Sequence, residues 1–162
     1  MTTVSNLERY FYIQGKTAGN KVLDVYGNKP DPDTPVISYA RTTGKLNQQW
    51  RFVPAGPTLP GWWYLQTRML TGYGMTLLPD DDKAPNSIVM QPIGLGNAAC
   101  QLWCLVPGAT LGYWYVQSQY IVSNSENPLV IGLASNGNAQ AVPLSFENFD
   151  PQAWGFSPDA VP

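Results

Sequence analysis

Few side chains in this chain can do chemistry. It has no histidine to act as a general base, no serine or cysteine in a nucleophile motif, and no two carboxylates that the sequence places across one pocket. Enzymatic activity is not expected. Cys100 and Cys104 stand four apart in a stretch read as one strand, which would separate them by roughly 13 Å at about 3.3 Å per residue, beyond disulfide reach. Two free thiols are expected, and no cofactor. The run "PDDDK" at 79–83 offers three carboxylates to a cation, but consecutive residues of extended chain face alternate sides, and a solvated hairpin loop is the better reading.

What remains is a phrase of polar and aromatic residues that occurs three times: "NQQW" at 47–50, "CQLW" at 100–103 and "PQAW" at 151–154. Trp50, Trp103 and Trp154 recur at intervals of 53 and 51 residues, and a second phrase keeps step with them, "YFYIQ" at 10–14, "WWYLQ" at 62–66 and "YWYVQ" at 113–117. Each repeat thus opens and closes on an aromatic strand. Between them lie two short apolar runs per repeat: "KVLDVY" and "PVISYA", "GMTLLP" and "SIVMQP", "PLVIGL" and "AVPLSF". Gly, Pro, Asn and Asp bound these runs, and nothing sustains a helical period. Alternation turns Phe11 with Ile13, Trp63 with Leu65 and Trp114 with Val116 inward, and likewise Trp50 with Phe52, Trp103 with Leu105 and Trp154 with Phe156. Tyr12, Tyr64 and Tyr115 fall on the other face, where packing against a hairpin cap is expected. Twelve strands in three sets of four suit a threefold barrel better than a propeller, which usually needs at least four blades.

The 162 residues, 44% apolar and 12% charged, suit one folded domain, 1–162, with repeats at about 9–56, 61–108 and 112–158. A net charge of −2 without a basic run gives no footprint for nucleic acid or an anionic bilayer. The N-terminus shows no secretory pattern and no apolar run has the length of a membrane span, so a cytoplasmic location without membrane insertion is the expectation.

With three Gln-x-Trp motifs in register and four strands per repeat, the whole chain resembles the ricin-B-type lectins, all-β proteins of the β-trefoil fold, and is most similar to stand-alone cytosolic lectins of fungi. In that family the tryptophan fills the core and the glutamine ties backbone near a turn, so the motif certifies fold alone. The resemblance implies a sugar pocket within one repeat: an aspartate of the second strand, an aromatic of the third and an asparagine before Gln-x-Trp. Those types suit a sugar, because two carboxylate oxygens match neighbouring hydroxyls, an aromatic wall covers a C–H face, and an amide both donates and accepts.

Repeat one fills every role, with Asp24 in "VLDV", Tyr39 in "VISY", Asn47 in "NQQW", Gln48 beside it, and Gly27 in a turn whose backbone approaches the ligand. Repeat two aligns Leu77, Met90 and Cys100 with Asp24, Tyr39 and Asn47. Repeat three offers Ile131 or its neighbour, Leu144 or Phe146, and Pro151. A single site is expected, for glycans ending in galactose or N-acetylgalactosamine, with a homodimer supplying a second copy. The alternative is a protease inhibitor acting through a loop such as "LPDDDKAPNS" or "SNSENP".

Overall fold

The computed structural model describes residues 9–70, 72–79, 85–120 and 128–158. Its strands are β1 (Phe11–Gly15), β2 (Lys21–Val25), β3 (Thr34–Ala40) and β4 (Trp50–Pro54), then β5 (Trp63–Thr67), β6 (Tyr73–Leu78), β7 (Ser87–Pro92) and β8 (Trp103–Pro107). The last four are β9 (Trp114–Ser118), β10 (Leu129–Leu133), β11 (Ala139–Pro143) and β12 (Trp154–Pro158).

Pairing closes six of them into a ring. The closing strand of each repeat pairs antiparallel with the opening strand of the next, β4 with β5, β8 with β9, and β12 back to β1. Within each repeat the opening and closing strands touch once, at Phe11↔Trp50, Trp63↔Trp103 and Trp154↔Trp114. The other six strands form three hairpins, β2–β3, β6–β7 and β10–β11, which meet one another through β3–β7, β11–β7 and the bridge Ile37↔Asn138.

Alternation puts Ile13, Leu65 and Val116 in the core with the three tryptophans, all fully buried, while the half-buried Phe11, Phe52 and Phe156 pack on them. These three rings lie 5.0–5.5 Å apart in tilted and edge-on contacts, a favourable arrangement for their quadrupoles. Each Trp also ties its closing strand to the second strand of the same repeat, since the indole Nε1–H donates to the carbonyl of Leu23 (3.0 Å), Met75 (2.9 Å) or Ile131 (2.9 Å). Each Gln clamps the turn after the third strand. Gln48 Nε2 donates to Ala40 O and its Oε1 accepts from Thr42 N; Gln101 does the same with Pro92 and Gly94, and Gln152 with Pro143 and Ser145.

Two expectations change. Cys100 lies in the 3-10 turn Ala98–Gln101, outside the strand that carries Cys104, so a fully extended spacing does not apply; neither cysteine forms a disulfide. The third strand of repeat three ends at Pro143, because Leu144 turns away to pack with Tyr115, Val130, Phe149 and Ala153 in a small second core. Tyr12 and Tyr115, on the face away from the barrel core, are buried too, in keeping with the packing expected there. Tyr115 packs against Phe149 with centroids 5.0 Å apart and donates its hydroxyl to Ser145 O, while the Arg41 guanidinium covers the Tyr12 ring at 4.1 Å. Among the described residues no helix is long and apolar enough to cross a membrane.

Candidate functional site

The five residues singled out in repeat one converge. Asp24 sits near the end of β2, paired with Ile37 on β3, and Tyr39 pairs with Val22 two positions along the same ladder. Asn47 and Gln48 occupy the 3-10 turn Leu46–Gln48 that leads into β4. Gly27 is in the turn Tyr26–Asn28, where its φ of 63° is the left-handed conformation that glycine adopts without a Cβ clash. Together they line one recess of about 410 Å³ with Tyr26, Asn28, Ile37, Thr42 and Lys45.

Asp24 is 5% exposed and forms the floor. Its Oδ1 accepts from Asn47 Nδ2 (3.0 Å) and its Oδ2 from Gln48 Nε2 (2.8 Å). Asn47 Nδ2 also donates to Val25 O, which fixes the orientation of the amide. Its other end is left over: Asn47 Oδ1 is buried with no hydrogen-bond partner. A buried acceptor without a donor is costly, and Asn47 is among the residues lining the recess, so a hydroxyl that reached this oxygen would relieve that cost. Above the floor the Tyr39 ring is 58% exposed, an apolar face held in water. Burial pushes the Asp24 carboxyl above its ordinary value; the amides of Gln48 and Asn47, and more weakly the charge of Lys45, pull the other way. The arrangement presents hydrogen-bond acceptors below and an aromatic wall beside them. It suits a donor-rich ring with one apolar face.

The Trp and Gln bonds align the repeats residue by residue, and they correct two of the sequence alignments by one position. Thr76, and not Leu77, stands at the Asp24 position, since it follows the carbonyl that receives the Trp103 indole and takes the Gln101 amide at 3.3 Å. Gln91, and not Met90, matches Tyr39, because it precedes the carbonyl that Gln101 clamps. In repeat three the same bonds place Gly132, Val142 and Pro151 at the positions of Asp24, Tyr39 and Asn47. The second repeat keeps a recess of about 350 Å³ lined by Thr76, Gln91 and Cys100, with no carboxylate among the described residues that line it. In the third, a Cβ at Gly132 would come within 2.9 Å of Val142 Cγ2, so a larger side chain there requires Val142 to shift.

Sequence reasoning gave Tyr26 only a backbone role and missed Lys45. Tyr26 is 51% exposed on the recess wall, and Lys45 is the exposed residue that introduces the turn carrying Asn47. The adjacency of each to an assigned residue was the available signal. Most of "PDDDK" and of "SNSENP" lies outside the described residues. Among the described ones, no group of three or more His, Cys, Asp or Glu gathers to hold a metal.

No family model and no curated protein matches the chain. Solved structures do. A designed threefold symmetric protein, ThreeFoil, superposes with a TM-score of 0.72 at 21% identity over 91% of this chain and 97% of its own. The β-trefoil lectin of the Vibrio vulnificus hemolysin/cytolysin, solved with N-acetyl-D-lactosamine, gives 0.70 at 17% identity over 95% and 97%. The fold is a β-trefoil. The C-half of the earthworm R-type lectin, solved with GalNAc, gives 0.64 at 15% identity over 93% of this chain and 98% of its own. At these identities the likeness extends to the trefoil backbone, and the chemistry has to be argued from the recess itself.

Proposed function

We propose that this β-trefoil is a lectin that binds glycans ending in galactose or N-acetylgalactosamine through one site, the recess of repeat one, without catalysis. The observation that carries the reading is the buried floor, where the Asp24 carboxylate and the unpartnered Asn47 Oδ1 lie beneath an exposed tyrosine ring. Each Asp24 oxygen has one lone-pair direction occupied by an amide and can accept from a sugar hydroxyl with the other. Adjacent hydroxyls then bridge the carboxylate, a third donates to Asn47 Oδ1, and Tyr39 covers the C–H face. Galactose suits that wall because its axial 4-hydroxyl leaves a contiguous apolar patch. The two trefoils solved with GalNAc and N-acetyl-D-lactosamine support this choice of sugar. The recess chemistry supports a role without catalysis, since one carboxylate lines it and the chain has no histidine with which to pair it.

The positions equivalent to Asp24, Thr76 and Gly132, supply no carboxylate, which supports one site per chain. Such an open site should hold one sugar weakly, on the order of millimolar to high micromolar. A homodimer would raise avidity by presenting two copies. Glycan-array binding of the wild type beside Asp24→Asn tests the reading: signals on terminal Gal or GalNAc that vanish in the variant support it, and equal binding by both proteins refutes it.

A further inference from the structure

The rim of the recess has a charge that neutral sugar binding leaves unused. The chain carries a net −2, yet besides the Asp24 carboxylate the charged residue lining the recess is Lys45. Lys45 lines the recess, and Lys29 follows the turn of Tyr26 with its Nζ 5.6 Å from the Tyr26 ring centroid. Neither takes part in the ion pair formed among the described residues, which joins Lys16 to Asp150. Asp24 does not consume Lys45 either. Its two oxygens are held by Asn47 and Gln48, and the lysine is the weakest of the influences on it, near enough to be felt without forming a salt bridge. The ammonium is therefore available to a ligand, and its favourable field partly offsets the repulsion that Asp24 would exert on an anion.

Resting on the lectin reading of the same recess, we propose that the preferred ligand is an acidic glycan: a galactose-type ring on the Asp24 floor that bears a sulfate or carboxylate read by Lys45, with Lys29 reinforcing the positive rim. Tyr26, exposed on the same wall, gives the acidic substituent or the next sugar an apolar surface to rest on.

Titration calorimetry with lactose, 6′-sulfated lactose and 6′-sialylated lactose, which leave the ring hydroxyls free for Asp24, tests this at low salt, the last two separating sulfate from carboxylate as the source of the charge. An exposed ion pair is worth up to about 1 kcal/mol, so one or both acidic ligands should bind about threefold to fivefold tighter than lactose. The ratio should fall toward one in Lys45→Gln, recover in Lys45→Arg, and shrink at about 1 M salt, where the screening length is about 3 Å. A wild-type ratio of one or less, or a ratio that Lys45→Gln and the Lys29→Gln/Lys45→Gln double variant leave intact, overturns the proposal. If no sugar binds at all, or if Asp24→Asn binds all three like the wild type, the lectin reading fails and takes this inference with it.

Discussion

Replacing Asp24 with alanine should separate binding from stability, because of where its two partners would turn. In most proteins, deleting a buried carboxylate that accepts two amide bonds strands both donors. Here each amide loses the acceptor of one N–H and keeps that of the other. Asn47 Nδ2 keeps Val25 O at 3.1 Å, and Gln48 Nε2 keeps Ala40 O at 2.9 Å. Hydrogen bonds to a charged group contribute about 1.5–3 kcal/mol each, but the N–H that each amide loses borders an open recess where water can replace the carboxylate, which reduces the orphaning penalty. A second effect acts in the opposite direction. Burial raises the Asp24 pKa in the folded state above its unfolded value, so the folded protein binds more protons between those values and loses stability as pH rises through them. At neutral pH the wild type carries that full penalty and the alanine variant does not. The net cost should stay below about 2 kcal/mol, or no more than about 8 °C in melting temperature for a chain of this size. Sugar binding, which needs the carboxylate, should drop by at least about tenfold. Thermal melts followed by circular dichroism, beside calorimetric titration with N-acetylgalactosamine, give both numbers. A variant that unfolds outright, or one that melts like the wild type and still binds, would refute the reasoning.

Other outcomes follow from the same geometry. Binding should fall on acidification at a pH above the ordinary aspartate value of 3.8, because burial raises the Asp24 pKa; fluorescence titration between pH 3 and 7 checks this, and a flat profile contradicts it. Because Trp50, Trp103 and Trp154 make equivalent indole bonds to buried carbonyls, Trp→Phe at each should cost about 2–4 kcal/mol in urea denaturation, alike within about 1 kcal/mol. The triple variant Thr76→Asp, Gln91→Tyr and Cys100→Asn should raise the calorimetric stoichiometry from one sugar to two. In repeat three Gly132→Asp made alone should create no site, because its Cβ would come within 2.9 Å of Val142 Cγ2.

The barrel was legible in the sequence because its strands have one face in the core and one outside it. Alternation therefore separates Ile13, Leu65 and Val116 from their neighbours, and the tryptophan period does the rest. The hairpins were not legible to the residue, for a physical reason. Val22 to Val25 are all buried, as are Gly74 to Leu77 and Leu129 to Gly132, so hydrophobicity carries no period-two mark from which to read register. Only the indole and glutamine bonds show that Thr76 and Gln91 hold the positions of Asp24 and Tyr39. Repeat one escaped that error because its own residues announced themselves, as the aspartate, tyrosine and asparagine of an ordered set. Lys45 and Tyr26 did not, since their approach to the recess depends on how two 3-10 turns fold over it.

An NMR titration of the isotopically labelled protein with methyl β-galactoside tests the central claim most directly. Binding in repeat one predicts that the side-chain amide signals of Asn47 and Gln48, and the backbone signals of Tyr26 to Asn28, move together and saturate. The Gln101 and Gln152 amides should stay in place. Shifts centred on Gln101 or Gln152, or no shift at millimolar sugar, would contradict it.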